Sequence, residues 1–96
     1  MRSVEDLIER LDNYTKEYLE LESQKEIYYK EHLDDMSRCT IVTLYLMQAN
    51  IDTVIKQICS VYSRCVRKGI NVENECAHLV YSYYMPRIRR GLSDLL

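Results

Sequence analysis

Cysteine and histidine are the residue types in this sequence that could bind a metal ion, but their spacing argues against it. The four cysteines are Cys39, Cys59, Cys65 and Cys76, and no two of them form a C-x-x-C pair. On a helix, Cys59 and Cys65 would lie about 120° apart, and Cys76 and His78 would point to nearly opposite sides. A tetrahedral site needs ligands that converge. We therefore predict no metal ion and no cofactor.

A catalytic site is equally hard to assemble from these residues. A cysteine nucleophile is usually activated by a nearby base at a strained or glycine-rich turn, and no such turn is present in the sequence. Asp34 and Asp35 are adjacent carboxylates, but neighbours along a helix do not share a face. We predict that the protein is not an enzyme.

Apolar segments that would direct the chain to a membrane are short. The N-terminal residues lack the apolar stretch of a secretory signal. The longest apolar run, Ile41 to Met47 with Thr43 inside it, is well below the roughly 20 residues that cross a bilayer. We expect an intracellular protein, cytoplasmic or nuclear, with no membrane contact. Its cysteines are then expected to be reduced, and to serve as small buried hydrophobic side chains.

The composition favours helices over strands. The 96 residues are 47% hydrophobic and 29% charged, with only two glycines and one proline. Strands joined by tight turns need glycine or proline at most corners. We predict one all-α domain covering residues 1–96, a small bundle of three to four helices with a long N-terminal helix.

Residues 1–35 are predicted to form this long acidic helix, with Ser3 as its N-cap. Its apolar positions alternate at spacings of three and four residues, as in a coiled coil. They are Val4, Leu7, Leu11, Tyr14, Tyr18 and Leu21. A helix on the order of 45–50 Å long exceeds what a domain of this size can cover. We expect this heptad seam to contact a partner chain, at least in part, and pairing within the chain stays open.

Further along the same helix the seam weakens. The register continues through Lys25, Tyr28 and His32, which are poor apolar residues. A straight helix also rotates by about 20° per heptad relative to a 3.5-residue repeat. The apolar face is therefore expected to drift onto Ile27, Leu33 and Met36.

Residues 38–68 are predicted to form a central buried helix or a pair of helices. The segment from Cys39 to Met47 is apolar on nearly every side, which is typical of the most buried helix of a bundle. Gly69 is a suitable residue to follow its C-terminus. Residues 71–96 are predicted to form a C-terminal helix, capped by Asn71 and ended or kinked near Pro86, followed by a basic tail.

Charge is distributed unevenly along the chain. Residues 1–35 carry a net charge of −6 and residues 36–96 a net charge of +4, from eleven acids and five bases against four acids and eight bases. Two basic clusters stand out in the second part, one with Arg64, Arg67 and Lys68 and the other with Arg87, Arg89 and Arg90. Beside tyrosines, such clusters can bind phosphates and stack bases, or they can meet acids of a partner protein.

The stretch from Ile55 to Lys68 resembles the central helix of GINS subunits, which form a four-subunit complex that joins the replicative DNA helicase. The matching residues are Lys56, Ile58, Tyr62, Arg64 and Arg67, and the Met85-Pro86 pair is similar to some members. The likeness spans about residues 38–86. The Arg-Asn pair that often precedes the basic residue of the family is replaced by Val54 and Ile55. The resemblance implies a scaffold that joins sister subunits and has no activity of its own.

Three functional hypotheses follow from the sequence. The first is a non-enzymatic helical subunit of a protein assembly, homo- or hetero-oligomeric, with a GINS-like scaffold as its most specific version. The second is a nucleic-acid-binding module that uses the two basic clusters. The third is a stand-alone helical adaptor or viral effector that binds a partner helix in an apolar groove.

Overall fold

The computed structural model describes residues 3–91, which form three helices and no strand. Helix α1 spans Val4–Glu31, helix α2 spans Arg38–Arg67 and helix α3 spans Glu75–Arg89. This confirms the predicted all-α bundle with a long N-terminal helix. The central segment is one continuous helix, which settles the choice between one element and two. None of the helices in the described range is long and apolar enough to cross a membrane.

Helices α1 and α2 form an antiparallel hairpin, and each of them begins after a serine N-cap. The Ser3 hydroxyl accepts the Asp6 N–H at 3.1 Å, which confirms the predicted cap, and Ser37 accepts the Thr40 N–H at 3.3 Å. Each cap satisfies a backbone donor that has no partner within its own helix.

The connection from α2 to α3 begins with the glycine that the sequence indicated. Gly69 has a φ of +70°, and the N–H of Ile70 bonds back to the carbonyl of Cys65 at 2.9 Å. Glycine reaches this left-handed conformation without the steric cost of a Cβ atom, so it ends the helix.

Asn74 caps α3, and the prediction that Asn71 does so was wrong. The Asn74 side chain accepts the Ala77 N–H at 2.9 Å through Oδ1. Its Nδ2 donates to Asp12 Oδ1 at 2.8 Å and to Thr15 Oγ1 at 3.1 Å. The helix starts three residues later than expected because this one amide both caps α3 and anchors it to α1.

The helix continues through Pro86, so it does not end there, which was one of the two expected outcomes. Proline removes one backbone donor, and the carbonyl that loses its partner belongs to Ser82, an exposed residue that water can reach. Helix α3 instead ends at Arg89, just before Gly91 with its φ of +74°. The prediction of a basic tail after the helix was wrong for its arginines, because Arg87 and Arg89 belong to α3 and Arg90 is its C-cap. Residues 92–96 lie outside the described residues.

The core occupies one end of the hairpin, where all three helices meet. Its buried hydrophobic side chains are Leu7, Leu11, Ile51, Val54, Ile55, Ile58, Cys59, Val61, Tyr62, Cys65, Ala77 and Val80. The N-terminal end of α3 lies beside Thr15 of α1. Near its C-terminal end, Ile88 lies beside Lys56 of α2. The molecule measures 48 × 27 × 21 Å, with a radius of gyration of 15.3 Å. A compact domain of this length has about 13 Å, so the chain is elongated.

Candidate interaction surface

The half of the hairpin that α3 does not reach has almost no core. From Lys16 to Asn50 the only buried residue is Thr40, whereas the 15 residues from Ile51 to Cys65 contain eight. We call the uncovered part, residues 26–50, the hairpin end. A two-helix hairpin without a third layer leaves one face of each helix in water.

The exposed side of α2 in the hairpin end is apolar. Ile41, Val42, Tyr45 and Leu46 expose 55%, 51%, 78% and 60% of their surface, and Ala49 beside them is exposed as well. The expectation that the segment from Cys39 to Met47 is the most buried helix of the bundle was therefore wrong. The segment is apolar nearly all round, but only one side has a neighbour in this chain.

Further exposed apolar side chains lie on α1 and on the loop of the hairpin end. They are Ile27, Tyr29, Leu33 and Met36, with exposed fractions of 40–53%. The predicted drift of the inward face onto Ile27, Leu33 and Met36 was wrong, because Lys25, Tyr28 and His32 keep the heptad register and are half-buried. In this part of the seam, polar side chains connect α1 to α2. The Lys25 ammonium donates to Gln48, whose amide donates to Asp52 at 2.8 Å.

The heptad seam itself pairs within the chain. Leu7 and Leu11 are 1% and 0% exposed and belong to the core, while Tyr14, Tyr18 and Leu21 are half-buried against it. The assignment of Leu7 and Leu11 to a partner interface was wrong, because α2 and α3 already bury them. Val4 alone is 49% exposed. The exposed apolar side chains of the hairpin end lie on other faces, nearer the turn between α1 and α2.

Two tyrosines, Tyr18 and Tyr84, are half-buried at the edge of the core and have raised pKa values. Burial raises the pKa of Tyr18 to about 12, with further contributions from Glu22, Tyr84 and Cys76. Burial, followed by Glu22, also raises the pKa of Tyr84. These two tyrosines pack against the side of the core that faces the hairpin end. The part of the hairpin that α3 does not cover lies beyond them.

The two basic clusters do not form one continuous patch. Arg64, Arg67 and Lys68 are exposed at the end of α2. On α3, the Arg87 guanidinium lies 3.7 Å from the centre of the Tyr83 ring, whereas Arg89 donates to the Tyr81 hydroxyl at 3.4 Å. Residues two apart on a helix point to nearly opposite sides, so this cluster is divided between two faces, with Arg90 exposed at the C-cap. Arg67 and Arg89 line the same shallow depression, together with Tyr81.

Within residues 3–91, no group of three or more metal-binding side chains comes together. The four cysteines form no disulfide. Cys59 and Cys65 are buried, as expected for small hydrophobic side chains. Cys76 is half-buried and Cys39 is exposed, so the expected burial of all four cysteines is confirmed for only two of them. Burial raises the pKa of the Cys59 thiol to about 11 and also raises the pKa of Cys65 and of Cys76.

One fast-reacting thiol, Cys39, is expected when the native protein is treated with an excess of a thiol reagent. The thiolate is the reactive form, and a raised pKa together with burial suppresses it at the other three positions. Cys39→Ser is expected to remove the fast phase, and Cys59→Ser, its control, to leave that phase unchanged. A fast phase that survives in Cys39→Ser would contradict the protection of the other three thiols.

Comparison with known proteins gives no further guide. No family model, curated protein or solved structure matches the chain. The candidate surface therefore rests on the geometry of the chain itself.

Sequence reasoning identified the apolar side chains of this surface but assigned them to the core. The signal that could have located them is helix length. A third helix of 15 residues reaches about 22 Å, while α1 and α2, with 28 and 30 residues, extend to about 42–45 Å. The excess length must lie beyond the three-helix core.

Proposed function

We propose that this chain is a non-enzymatic helical subunit of an intracellular protein assembly, and that it binds its partner through the hairpin end. The observation that carries the proposal is the exposed apolar face of Ile41, Val42, Tyr45 and Leu46. Soluble monomers rarely expose contiguous apolar patches larger than a few hundred Å², and larger ones commonly mark interaction sites.

The surroundings of this face support a protein partner. Helix α2 has no charged residue from Cys39 to Ile51, a stretch of about 20 Å. Interface cores are depleted in charge and enriched in tyrosine and other aromatic residues. Tyr45, the most exposed large apolar side chain of the described residues, lies at the centre of this stretch. The arginines, in contrast, are dispersed over several faces, which gives no continuous track for a phosphate backbone.

The most specific form of this proposal is a scaffold similar to GINS subunits. Of the residues that carry the resemblance, Ile58 and Tyr62 are core residues, and Lys56, Arg64 and Arg67 are exposed. In this form, the exposed basic residues contact sister subunits and the hairpin end supplies the apolar part of the interface. Recovery of replicative helicase subunits with the chain tests this version.

Leu46→Glu is expected to abolish partner binding, because it places a charge in the apolar face. The chain offers a matched control in Leu79→Glu, since Leu46 and Leu79 are both 60% exposed and Leu79 lies on α3. Affinity purification with quantitative mass spectrometry of the wild type and both variants measures the effect. Proteins retained by the wild type and Leu79→Glu, but lost by Leu46→Glu, are the partners.

A second matched pair of variants tests whether the loss of binding is a property of the surface and not of the Leu46 substitution alone. Val42 and Val66 are 51% and 52% exposed, the first in the hairpin end and the second near the end of α2. Val42→Lys should lose the same proteins as Leu46→Glu, and Val66→Lys should keep them. If all variants retain the same set as the wild type, with equal thermal stability, the hairpin end is not the binding surface.

A further inference from the structure

A stripe of α2 that runs from the hairpin end to Asp52 is charged only at its two ends. Arg38 lies at the N-terminal end and Asp52 fourteen residues later, with thirteen uncharged residues between them. Arg38, Val42, Tyr45, Ala49 and Asp52 follow one another at spacings of four and three, so they form one stripe along the helix. Tyr45 is midway between the two charges. Its neighbours Val42 and Ala49 are small, which permits close approach of a second helix.

We propose that this stripe pairs with the same stripe of a second copy of the chain, in antiparallel orientation about a two-fold axis near Tyr45. This inference rests on the proposed function and names the partner that the hairpin end binds. In a two-fold interface the same patch is used twice, so it must be complementary to itself. Antiparallel pairing places Arg38 of each copy near Asp52 of the other, and apolar residues between them.

The charge of Arg38 is poorly placed in the single chain. It is the first residue of α2, whose first turn contains no acid, and a cation at the positive end of a helix is unfavourable. Arg38 is exposed, and Asp52 is half-buried with one hydrogen bond, from Gln48. Each residue therefore has room for a partner of opposite charge, and antiparallel pairing supplies one.

The same orientation brings the acidic and basic regions of the two copies together. Asp34 and Asp35 lie in the loop just before Arg38. Lys56 is exposed on α2, four residues after Asp52. In the register that sets Arg38 against Asp52, the loop acids of one copy approach Lys56 of the other. Opposite charges of the two copies therefore face each other at a second position beyond the Arg38–Asp52 pair.

The area is sufficient for a dimer of modest affinity. Ile41, Val42, Tyr45 and Leu46 expose between 51% and 78% of their surface. Together they amount to roughly 500 Å² per copy and about 1,000 Å² in total, which is near the lower limit for a specific interface. We therefore expect the dissociation constant of the dimer to lie between roughly 1 μM and 1 mM.

Sedimentation of the purified chain over that concentration range tests the proposal. A monomer–dimer equilibrium is expected for the wild type. Arg38→Glu and Asp52→Arg should each weaken it by about tenfold or more, because two contacts per dimer change from attractive to repulsive. An equimolar mixture of the two variants should restore dimers of wild-type affinity. In a mixed pair, the introduced glutamate of one copy faces the introduced arginine of the other, and the unchanged Asp52 faces the unchanged Arg38.

The outcomes separate this proposal from the function on which it rests. A wild type that stays monomeric at about 1 mM, or a mixture that does not recover, overturns the self-pairing, and Leu46→Glu against Leu79→Glu then still tests a different protein as partner. If single charge reversals leave or strengthen association, the copies do not pair in antiparallel orientation. Arg38→Glu puts an acid where the helix dipole favours it, so it is expected to fold even if Asp52→Arg does not. Equal dimerisation of Arg38→Glu and the wild type would alone refute the pairing.

Discussion

Replacing Leu11 with alanine is expected to lower the free energy of unfolding by about 2–5 kcal/mol. Leu11 is fully buried in the core that α1 shares with the other helices. The substitution removes buried methyl groups and leaves a cavity that the rigid neighbours fill only partly. Urea denaturation followed by circular dichroism measures the loss.

The same helix offers a matched control. Leu19 is also on α1 but is 55% exposed, and Leu19→Ala is expected to change the stability by no more than about 0.5 kcal/mol. If the heptad seam paired between chains instead, Leu11→Ala would weaken association and leave the unfolding of the isolated monomer unchanged. A loss that persists at concentrations where the chain is monomeric supports pairing within the chain.

The second large effect is expected at Asn74. Asn74→Ala removes the N-cap of α3 and both hydrogen bonds to α1, and it leaves the polar atoms of Asp12 and Thr15 without that donor. A lost cap costs about 1 kcal/mol, and a polar group left without its partner costs a similar amount or more. We expect a total of about 2–3 kcal/mol in chemical denaturation.

Two further variants separate the cap from the bridge. Asn71→Ala changes an exposed asparagine three residues earlier and is expected to be nearly neutral. Asn74→Asp keeps the capping oxygen but replaces the donor with a carboxylate that faces Asp12. It should therefore remain about 1–2 kcal/mol less stable than the wild type. Wild-type stability of Asn74→Asp would mean that the cap alone matters and that the link to α1 contributes nothing.

Features that depend on neighbouring residues could be predicted from the sequence. The seam through Leu7 and Leu11, the cap at Ser3 and the helix end before Gly69 all follow from spacing or from the conformation of single residues. Periodicity along a helix is a local property, because residues three and four apart share a face whatever they pack against. The fold class followed from these signals and from the scarcity of glycine and proline.

Which faces are buried could not be predicted in the same way. Val42 and Leu46 have the same hydrophobic character as Val54 and Ile58, and only the extent of α3 decides that the first pair is exposed. That extent depends on Asn74, whose role comes from partners about sixty residues earlier in the chain. Asn71 is an equally good cap by type, but the structure shows no such contact for it. Burial is a tertiary property, so the candidate surface emerged only with the packing.

Placing the core and the exposed apolar face on different parts of α2 has an evolutionary consequence. The hairpin end contributes only Thr40 to the buried residues, so substitutions there cost the fold little. Lys25, Gln48 and Asp52 mark the boundary with a polar connection between the two helices. Under the proposed function, sequence drift on one side of this boundary changes binding specificity, while selection for folding acts mainly on the other side. A chain built in this way can acquire a new partner without first acquiring a new core.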